Sequence, residues 1–188
     1  MSTLVVAEFV TLDGVMEAPG GEPGHPHTGW AGDYMGPEQV RYKHDEALAA
    51  ESLLIGRVTY ESFAGAWPTY SGVFADRMNG MPKHVVSTTL RDPAWSNTTV
   101  IAGDIPAEVA RLKARTDGQI LVLGSRTLVH ALMAHDLVDE YRLMVIPVVL
   151  GGGWRLFPET PRKTVLRLAE TRSFDSGVVV QTYHPVPG

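Results

Sequence analysis

The sequence predicts an α/β protein with three layers: a mostly parallel central sheet, helices on both of its faces, and an antiparallel C-terminal hairpin. Short apolar segments rich in β-branched residues alternate with helix-forming segments over most of the chain, as in parallel strands joined by helices. Two of the apolar segments end at a glycine directly before a helix-forming segment. The last two strand-like segments flank Asp175-Ser176-Gly177 with no helix between them, which indicates an antiparallel edge.

The N-terminal half begins with an apolar segment that stops at the turn sequence Leu12-Asp13-Gly14, and we expect this first strand to be central. A helix is predicted to begin at Pro37, because proline suits the first helical position, and to turn Val40, Ala47 and Leu48 inward. The predicted strands of this half are 3–10, 52–56, 81–88 and 97–101, and the predicted helices are 37–51 and 57–63.

Residues 17–37 are rich in glycine and proline, contain scarcely any aliphatic residue, and carry two isolated aromatic residues, Trp30 and Tyr34. Loops of this length inside compact domains are usually functional. We expect this loop to act as a lid over bound reactants.

In the C-terminal half, Asp104 followed by Ile-Pro-Ala-Glu predicts the start of a helix, because its carboxylate accepts from unpaired amides. A second strand, glycine and helix pattern follows. The predicted elements are a strand over 118–124, a helix over 125–133, a strand over 140–150, a glycine turn at 151–153, and hairpin strands over 163–174 and 177–184.

Composition narrows the class of protein. A length of 188 residues predicts one domain over 1–188. The net charge of −5 predicts neither a nucleic acid partner nor an anionic membrane partner. The absence of cysteine excludes disulfides and thiolate chemistry. No apolar segment reaches the roughly 20 residues of a membrane span and no signal peptide is evident, so we expect a cytoplasmic protein.

Two junctions predict anion binding. In each, a buried strand ends at a glycine, which allows close approach of a ligand, and a helix begins with unpaired amides at its positive end. Each junction also supplies an arginine and a hydroxyl side chain in the first helical turn, which suit phosphate oxygens. The residues are Gly56, Arg57 and Thr59 at the first junction and Gly124, Ser125, Arg126 and Thr127 at the second.

One such glycine is usually only a tight turn. Two on one sheet edge suit a dinucleotide, whose phosphates lie at separated points, and open α/β sheets bind ligands at that edge. The GxGxxG pattern is missing, which argues against a standard Rossmann domain.

The order of three motifs extends this interpretation to a family. The segments LIGRVTYESF, MPKHVVSTTL and ILVLGSRTLVHALMAHDLVDEYRLMVIPVVLGGGWRLFP resemble the dihydrofolate-reductase-like superfamily. They are most similar to reductases like the C-terminal domain of the riboflavin-biosynthesis deaminase-reductase. The resemblance covers nearly the whole chain, including the N-terminal strand and its TLDG turn.

The resemblance implies a dihydrofolate-reductase-like fold and NADPH as cofactor, because Arg57 would lie near the 2′-phosphate. It implies that Gly56, Arg57 and Thr59 hold the adenosine side, with hydroxyl contacts from Ser87 and Thr88. It implies that Gly124, Ser125, Arg126, Thr127 and Leu128 wrap the pyrophosphate, and that Ala7, Asp13, Gly14 and Val15 lie against the nicotinamide.

The expected activity is hydride transfer from NADPH to a C=N or C=O bond of a small heterocyclic substrate similar to a pterin, a folate or a ribosylaminopyrimidine. Trp30, Tyr34 and Phe63 are candidates for stacking on that small-molecule substrate, although they also suit packing anchors. A possible homodimer follows from the resemblance, since related reductases often pair.

The sequence assigns no catalytic residue. Folate-reducing members carry a carboxylate on the helix after the long loop, and Val40 aligns near it, while Glu38, Asp45 and Glu46 fit a solvated helix face.

No metal site is expected, because His25 and His27 lack a helix-spaced partner set. The sequence carries no zinc-deaminase signature of the His-x-Glu and Pro-Cys-x-x-Cys type, so we expect at most the reductase half of the bifunctional enzyme. Two alternatives remain, a nucleotide-binding protein without turnover and a flavin-binding protein.

Overall fold

The computed structural model describes residues 2–160 and 162–186. Its strands are β1 (Thr3–Thr11), β2 (Ala50–Gly56), β3 (Lys83–Val86), β4 (Thr98–Ile101), β5 (Gln119–Val122), β6 (Glu140–Ile146), β7 (Leu166–Ser173) and β8 (Val179–Pro185). Its helices are α1 (Pro37–Ala49), α2 (Arg57–Ala66), α3 (Val73–Gly80), α4 (Ile105–Arg115) and α5 (Arg126–Ala134), with short 3-10 turns at Gly32–Tyr34 and Trp67–Thr69.

The eight strands form one sheet in the order β4-β3-β2-β5-β1-β6-β8-β7. The first six of these are parallel to one another, while β8 is antiparallel to both β6 and β7. Strand β1 lies between β5 and β6, so the expectation that it is central is confirmed. The predicted fold class is confirmed as well.

Side chains of β1 alternate between the two faces of the sheet, as the two-residue period of a strand requires. Leu4 and Val6 pack in a cluster with residues of α4 and α5. Val5 and Ala7 pack with residues of α1, α2 and α3. The sheet is therefore the middle of three layers, and both faces of its central strand are buried.

The structure differs most from the prediction in two segments. The strand predicted over 140–150 ends at Ile146, because Pro147 has no N–H to donate to the ladder. The segment before residue 81, predicted as loop, contains helix α3, which begins after Gly72 at a φ of 103°. Three glycine or proline residues around this short helix hide its pattern in the sequence.

The inner face of α1 also differs from the prediction. Val40 and Leu48 are 45% and 47% exposed, whereas Gln39, Glu46 and Ala47 are buried. The helix therefore turns two polar side chains toward the sheet. The hydrophobic pattern of a helix predicts its buried face only where that face is apolar.

Lys83 connects α3 to the sheet from a fully buried position. Its Nζ donates to the carbonyl oxygens of Met78, Asn79 and Met81 at 3.0, 2.9 and 2.7 Å. The same atom lies 4.3 Å from the ring centroid of Trp95. Burial lowers the pKa of Lys83 to about 8, and the ammonium satisfies carbonyls at the end of α3 that have no helical partner.

We expect Lys83→Met to lower the free energy of unfolding by about 3 kcal/mol, because it leaves the buried Met78 and Met81 carbonyls without their donor, while the Asn79 carbonyl keeps only its hydrogen bond from Ser96 Oγ. Urea denaturation measures this loss. Lys163 is exposed, so Lys163→Met is the control and should leave the unfolding midpoint within error. Equal effects of the two substitutions would show that the buried hydrogen bonds contribute little.

Candidate functional site

The two junctions predicted to bind anions lie side by side, because β2 and β5 are neighbours in the sheet. The Gly56 N–H donates to Ser125 Oγ at 2.9 Å. In the opposite direction, the Ser125 N–H donates to Thr59 Oγ1 at 2.9 Å. These reciprocal hydrogen bonds join the start of α2 to the start of α5.

Gly124 permits this close arrangement. Its φ is +55°, and Ser125 follows with a φ of +60°, so two successive residues have left-handed backbone. A Cβ on Gly124 would lie 3.1 Å from Thr59 Oγ1 and 3.3 Å from Thr59 Cγ2. Conformation and space both favour glycine here.

The hydroxyls of Thr59 and Ser125 are used to join the junctions. Ser125 Oγ accepts from Gly56 and donates to the Leu123 carbonyl at 3.0 Å. Within the described residues, no side chain caps the N-terminus of α2 or of α5. The groups left for an anion are therefore first-turn amides of two adjacent helices, with both dipoles directed at the same edge.

Two arginines accompany these helix starts. Arg57 Nη1 lies 2.8 Å and 2.9 Å from the two carboxylate oxygens of Glu61, one turn later, and its side chain is 43% exposed. Arg126 Nε donates to the Arg155 carbonyl at 3.3 Å. Both side chains lie at the sheet edge where the junctions lie. Thr127 and Leu128 occupy the first turn of α5.

Strands β1 and β5 separate at the same edge. Thr3 N–H donates to the Gly118 carbonyl, and the paired register runs as far as Val6 opposite Val122. If the ladder continued by one more hydrogen bond, the Gly124 N–H would donate to the Ala7 carbonyl. That amide donates instead to Glu8 Oε2 at 3.0 Å. The Ala7 carbonyl thereby loses its ladder partner.

Glu8 is the main residue of the site that sequence reasoning missed. It is 5% exposed, and its Oε1 has no hydrogen-bond partner in the part of the chain that the structure describes. Burial raises the pKa of Glu8 well above its usual value, against smaller lowering effects of the Lys43 charge and the Gly124 N–H. The available signal was one acid inside an otherwise apolar strand.

Asp13 holds the glycine turn of residues 151–153 against the end of β1. Its carboxylate accepts from Thr11 Oγ1 at 2.6 Å, from the Gly151 N–H at 2.8 Å and from the Leu150 N–H at 3.2 Å. The hydrogen bond from Thr11 is the largest cause that lowers the pKa of Asp13. The Asp13 side chain therefore joins the glycine turn to the end of β1.

Arg155 connects the turn at Asp13 to the start of α5. Its Nε donates to the Asp13 carbonyl at 2.9 Å, and its own carbonyl accepts from Arg126. Val15 pairs with Arg155 as an isolated bridge, and the Val15 side chain is fully buried. The Asp13-Gly14-Val15 turn and the start of α5 thus share one partner.

Trp154 is a second site residue that the sequence analysis did not select. It is 59% exposed, and the Arg126 guanidinium lies 5.3 Å from the ring centroid. The backbone N–H of Trp154 donates to Glu17 Oε2 at 2.8 Å. An aromatic residue directly after three glycines was the available signal, and its ring is an exposed flat surface beside the start of α5.

The three aromatic residues selected as substrate contacts are packed against protein. Trp30 is 6% exposed and its Nε1 donates to the Glu17 carbonyl at 2.7 Å. Phe63 lies edge-on to Trp67 and Trp95, with centroid distances of 6.2 Å and 6.5 Å. Tyr34 is half-buried in the cluster of Trp30. Their contact with a substrate stays a prediction.

Ser87 and Thr88 follow β3, which pairs with β2 up to Gly56 opposite Val86. Ser87 Oγ accepts from the Thr89 N–H at 3.1 Å and the Leu90 N–H at 2.9 Å, so it stabilises its own turn. Thr88 is exposed. Both residues lie at the edge that carries the two junctions.

Across residues 2–160 and 162–186, no three His, Asp or Glu side chains come together in a way that could hold a metal ion. His25 Nε2 lies 3.2 Å from the Gly152 carbonyl, and His27 N–H donates to His25 Nδ1 at 3.1 Å. In these same ranges, every helix is too short or too polar to cross a membrane.

Comparison with known proteins finds relatives over almost the whole chain. A family model described as the RibD C-terminal domain matches residues 2–180. Two uncharacterized Bacillus subtilis (strain 168) proteins are each 30% identical to this chain. YyaP aligns with 93% of the chain and 90% of its own length, and YwjB aligns with 90% of both.

Two solved structures are similar in fold. A putative riboflavin biosynthesis protein from Shewanella sp. PV-4 superposes with a TM-score of 0.79 at 19% identity, over 98% of this chain and 99% of that one. A pyrimidine reductase-like protein from Corynebacterium diphtheriae superposes with a TM-score of 0.70 at 11% identity, over 99% and 92%.

We expect Gly124→Ala to lower the free energy of unfolding by about 1–2 kcal/mol, because the left-handed φ and the contact with Thr59 both oppose a Cβ. Thermal or urea unfolding measures the loss. Gly65→Ala is the control, since no atom lies within 4 Å of its added Cβ, and alanine in a helix should stabilise. If Gly124→Ala left the free energy of unfolding unchanged, the close packing of Gly124 against Thr59 would be contradicted.

Proposed function

Since the chain belongs to the RibD C-terminal domain family, we propose that it is an NADPH-dependent reductase. Its substrate would be a small heterocycle similar to a pterin, a folate or a ribosylaminopyrimidine, reduced at a C=N or C=O bond. The observation that carries this proposal is the pair of uncapped helix starts joined at the edge where β1 and β5 separate.

The residues present fit a dinucleotide. Gly124 leaves out the Cβ that would fill the space beside Thr59, and the first-turn amides of α2 and α5 face one edge without a side-chain cap in the described chain. A pyrophosphate suits the start of α5. The adenosine phosphate suits the start of α2, where Arg57 supplies a cation.

The Ala7 carbonyl supports the position of the nicotinamide. It has lost its ladder partner, so it can accept from a carboxamide N–H. Ala7 is 2% exposed, and a flat ring that enters between the separated strands would be shielded from water there. When bound, the cofactor supplies the hydride; the protein orients the ring and excludes solvent.

The substrate would lie between this ring and α1. That helix turns Gln39 and Glu46 inward, with Lys43 bonded to Glu46, and Lys43 Nζ lies 5.4 Å from the Phe9 ring centroid. These polar groups suit the nitrogen and oxygen atoms of a heterocycle better than an apolar wall would. The proton donor is unassigned, and a homodimer and a cytoplasmic location stay predictions.

We expect the purified protein to bind NADPH at least about tenfold more tightly than NADH, a difference of about 1.4 kcal/mol. Arg57→Ala should abolish that preference, because it removes the cation at the start of α2. Titration of nicotinamide fluorescence measures both affinities. Turnover is then sought by following NADPH absorbance with pterins, folates and aminopyrimidines as substrates.

Arg111→Ala is the matched control, since Arg111 also pairs with a glutamate one turn away on a helix surface. It should leave the preference for NADPH unchanged. Failure of wild-type protein to bind either nucleotide would refute the reductase proposal. A yellow protein that retains flavin through purification would favour the flavin-binding alternative.

A further inference from the structure

Glu8 combines burial with the lack of a close cation. The residue is 5% exposed, one carboxyl oxygen accepts from the Gly124 N–H, and the other has no partner among the described residues. No ion pair to Glu8 within 4 Å occurs in the described ranges. A buried carboxylate without a cation is costly, so such a group tends to hold its proton.

The charged groups around Glu8 do not offset the effect of burial on its ionisation. On α1, Lys43 is attractive but is paired with Glu46, whose own charge opposes ionisation of Glu8. Of the cations at the two helix starts, Arg57 is paired with Glu61 and Arg126 is bonded to a carbonyl. Burial remains the largest effect on the pKa of Glu8 and raises it.

We propose that Glu8 is a positioning residue that works as a neutral carboxylic acid. In that form it holds the Gly124 amide while an anionic dinucleotide binds at the start of α5. An ionised Glu8, bonded to Gly124, would place a negative charge next to the segment that receives the pyrophosphate. Dinucleotide binding and protonation of Glu8 therefore favour each other, and the proton comes from solvent.

The coupling rests on the proposed function, since it needs a dinucleotide at α5, but the neutral state of Glu8 is testable without one. The folded protein binds the Glu8 proton more tightly than the unfolded chain does. Stability from this group is therefore complete below the unfolded pKa and is lost as pH rises toward the folded pKa. Replacement by glutamine, which keeps an acceptor for Gly124, removes that loss.

The first experiment compares thermal unfolding of ligand-free wild type, Glu8→Gln and Glu51→Gln over a pH series that begins near pH 5 and rises to the alkaline limit at which the wild type stays folded. Glu51 is an exposed glutamate at the opposite end of β2, so Glu51→Gln controls for loss of a surface charge. We expect the melting temperature of Glu8→Gln to rise relative to wild type as pH increases. Glu51→Gln should run parallel to wild type.

Infrared spectroscopy gives a second readout that does not depend on stability. Wild-type protein near neutral pH should show a protonated-carboxyl C=O stretching band that Glu8→Gln lacks. Parallel melting profiles of wild type and Glu8→Gln, or absence of this band, would overturn the neutral Glu8.

The second experiment measures the Kd for NADH and NADPH over the same pH range. NADH lacks a 2′-phosphate, so its own charge stays constant. In wild type we expect the Kd for NADH to rise with pH by at most about tenfold per unit, the limit for one proton. Glu8→Gln should bind with little pH dependence. Calorimetry in two buffers, run at the alkaline end of the series where free Glu8 is partly ionised, should show proton uptake only in wild type.

The outcomes separate the two proposals. Absence of nucleotide binding by wild type at every pH would overturn the proposed function and, with it, the coupling. Binding with the same pH dependence in wild type and Glu8→Gln would overturn the coupling alone. A pH dependence that disappears in Glu8→Gln and persists in Glu51→Gln supports both.

Discussion

The reciprocal hydrogen bonds between the two strand-to-helix junctions are the interaction on which the candidate site depends. Gly56 donates to Ser125 and Ser125 donates to Thr59, so α2 and α5 begin at a fixed distance from each other. Two helix starts held in this way present their amides to one ligand without a cost of reorganisation on binding. Two unconnected junctions would have to be ordered by the ligand itself.

The same junction determines where the sheet opens. Because Gly124 turns its amide toward Glu8, the β1–β5 ladder stops at Val6 opposite Val122 while β1 continues along β6 as far as Thr11. One central strand thus has a paired edge and an open edge over the same residues. A carboxyl in an apolar strand is an unfavourable choice for stability alone, which is the reason to assign it a role in binding.

A second set of contacts connects the turn after β1 to α5. The Asp13 carboxylate accepts from the amides of the glycine turn. Arg155 donates to the Asp13 carbonyl, and the Arg155 carbonyl accepts from the Arg126 side chain. Residues more than a hundred positions apart in the sequence are therefore joined by a continuous set of hydrogen bonds. Trp154, between Arg126 and Glu17, lies beside this set as an exposed ring.

The sequence by itself determined the order of strands and helices apart from α3, the parallel sheet with its antiparallel hairpin, and the two glycine junctions, because these depend on local periodicity and on backbone freedom at glycine. Only the tertiary structure decided what the polar groups do. Thr59 and Ser125 bond to each other's turns, Glu8 replaces a ladder carbonyl, and α1 turns polar side chains inward. These roles depend on partners distant in sequence, which no local pattern encodes.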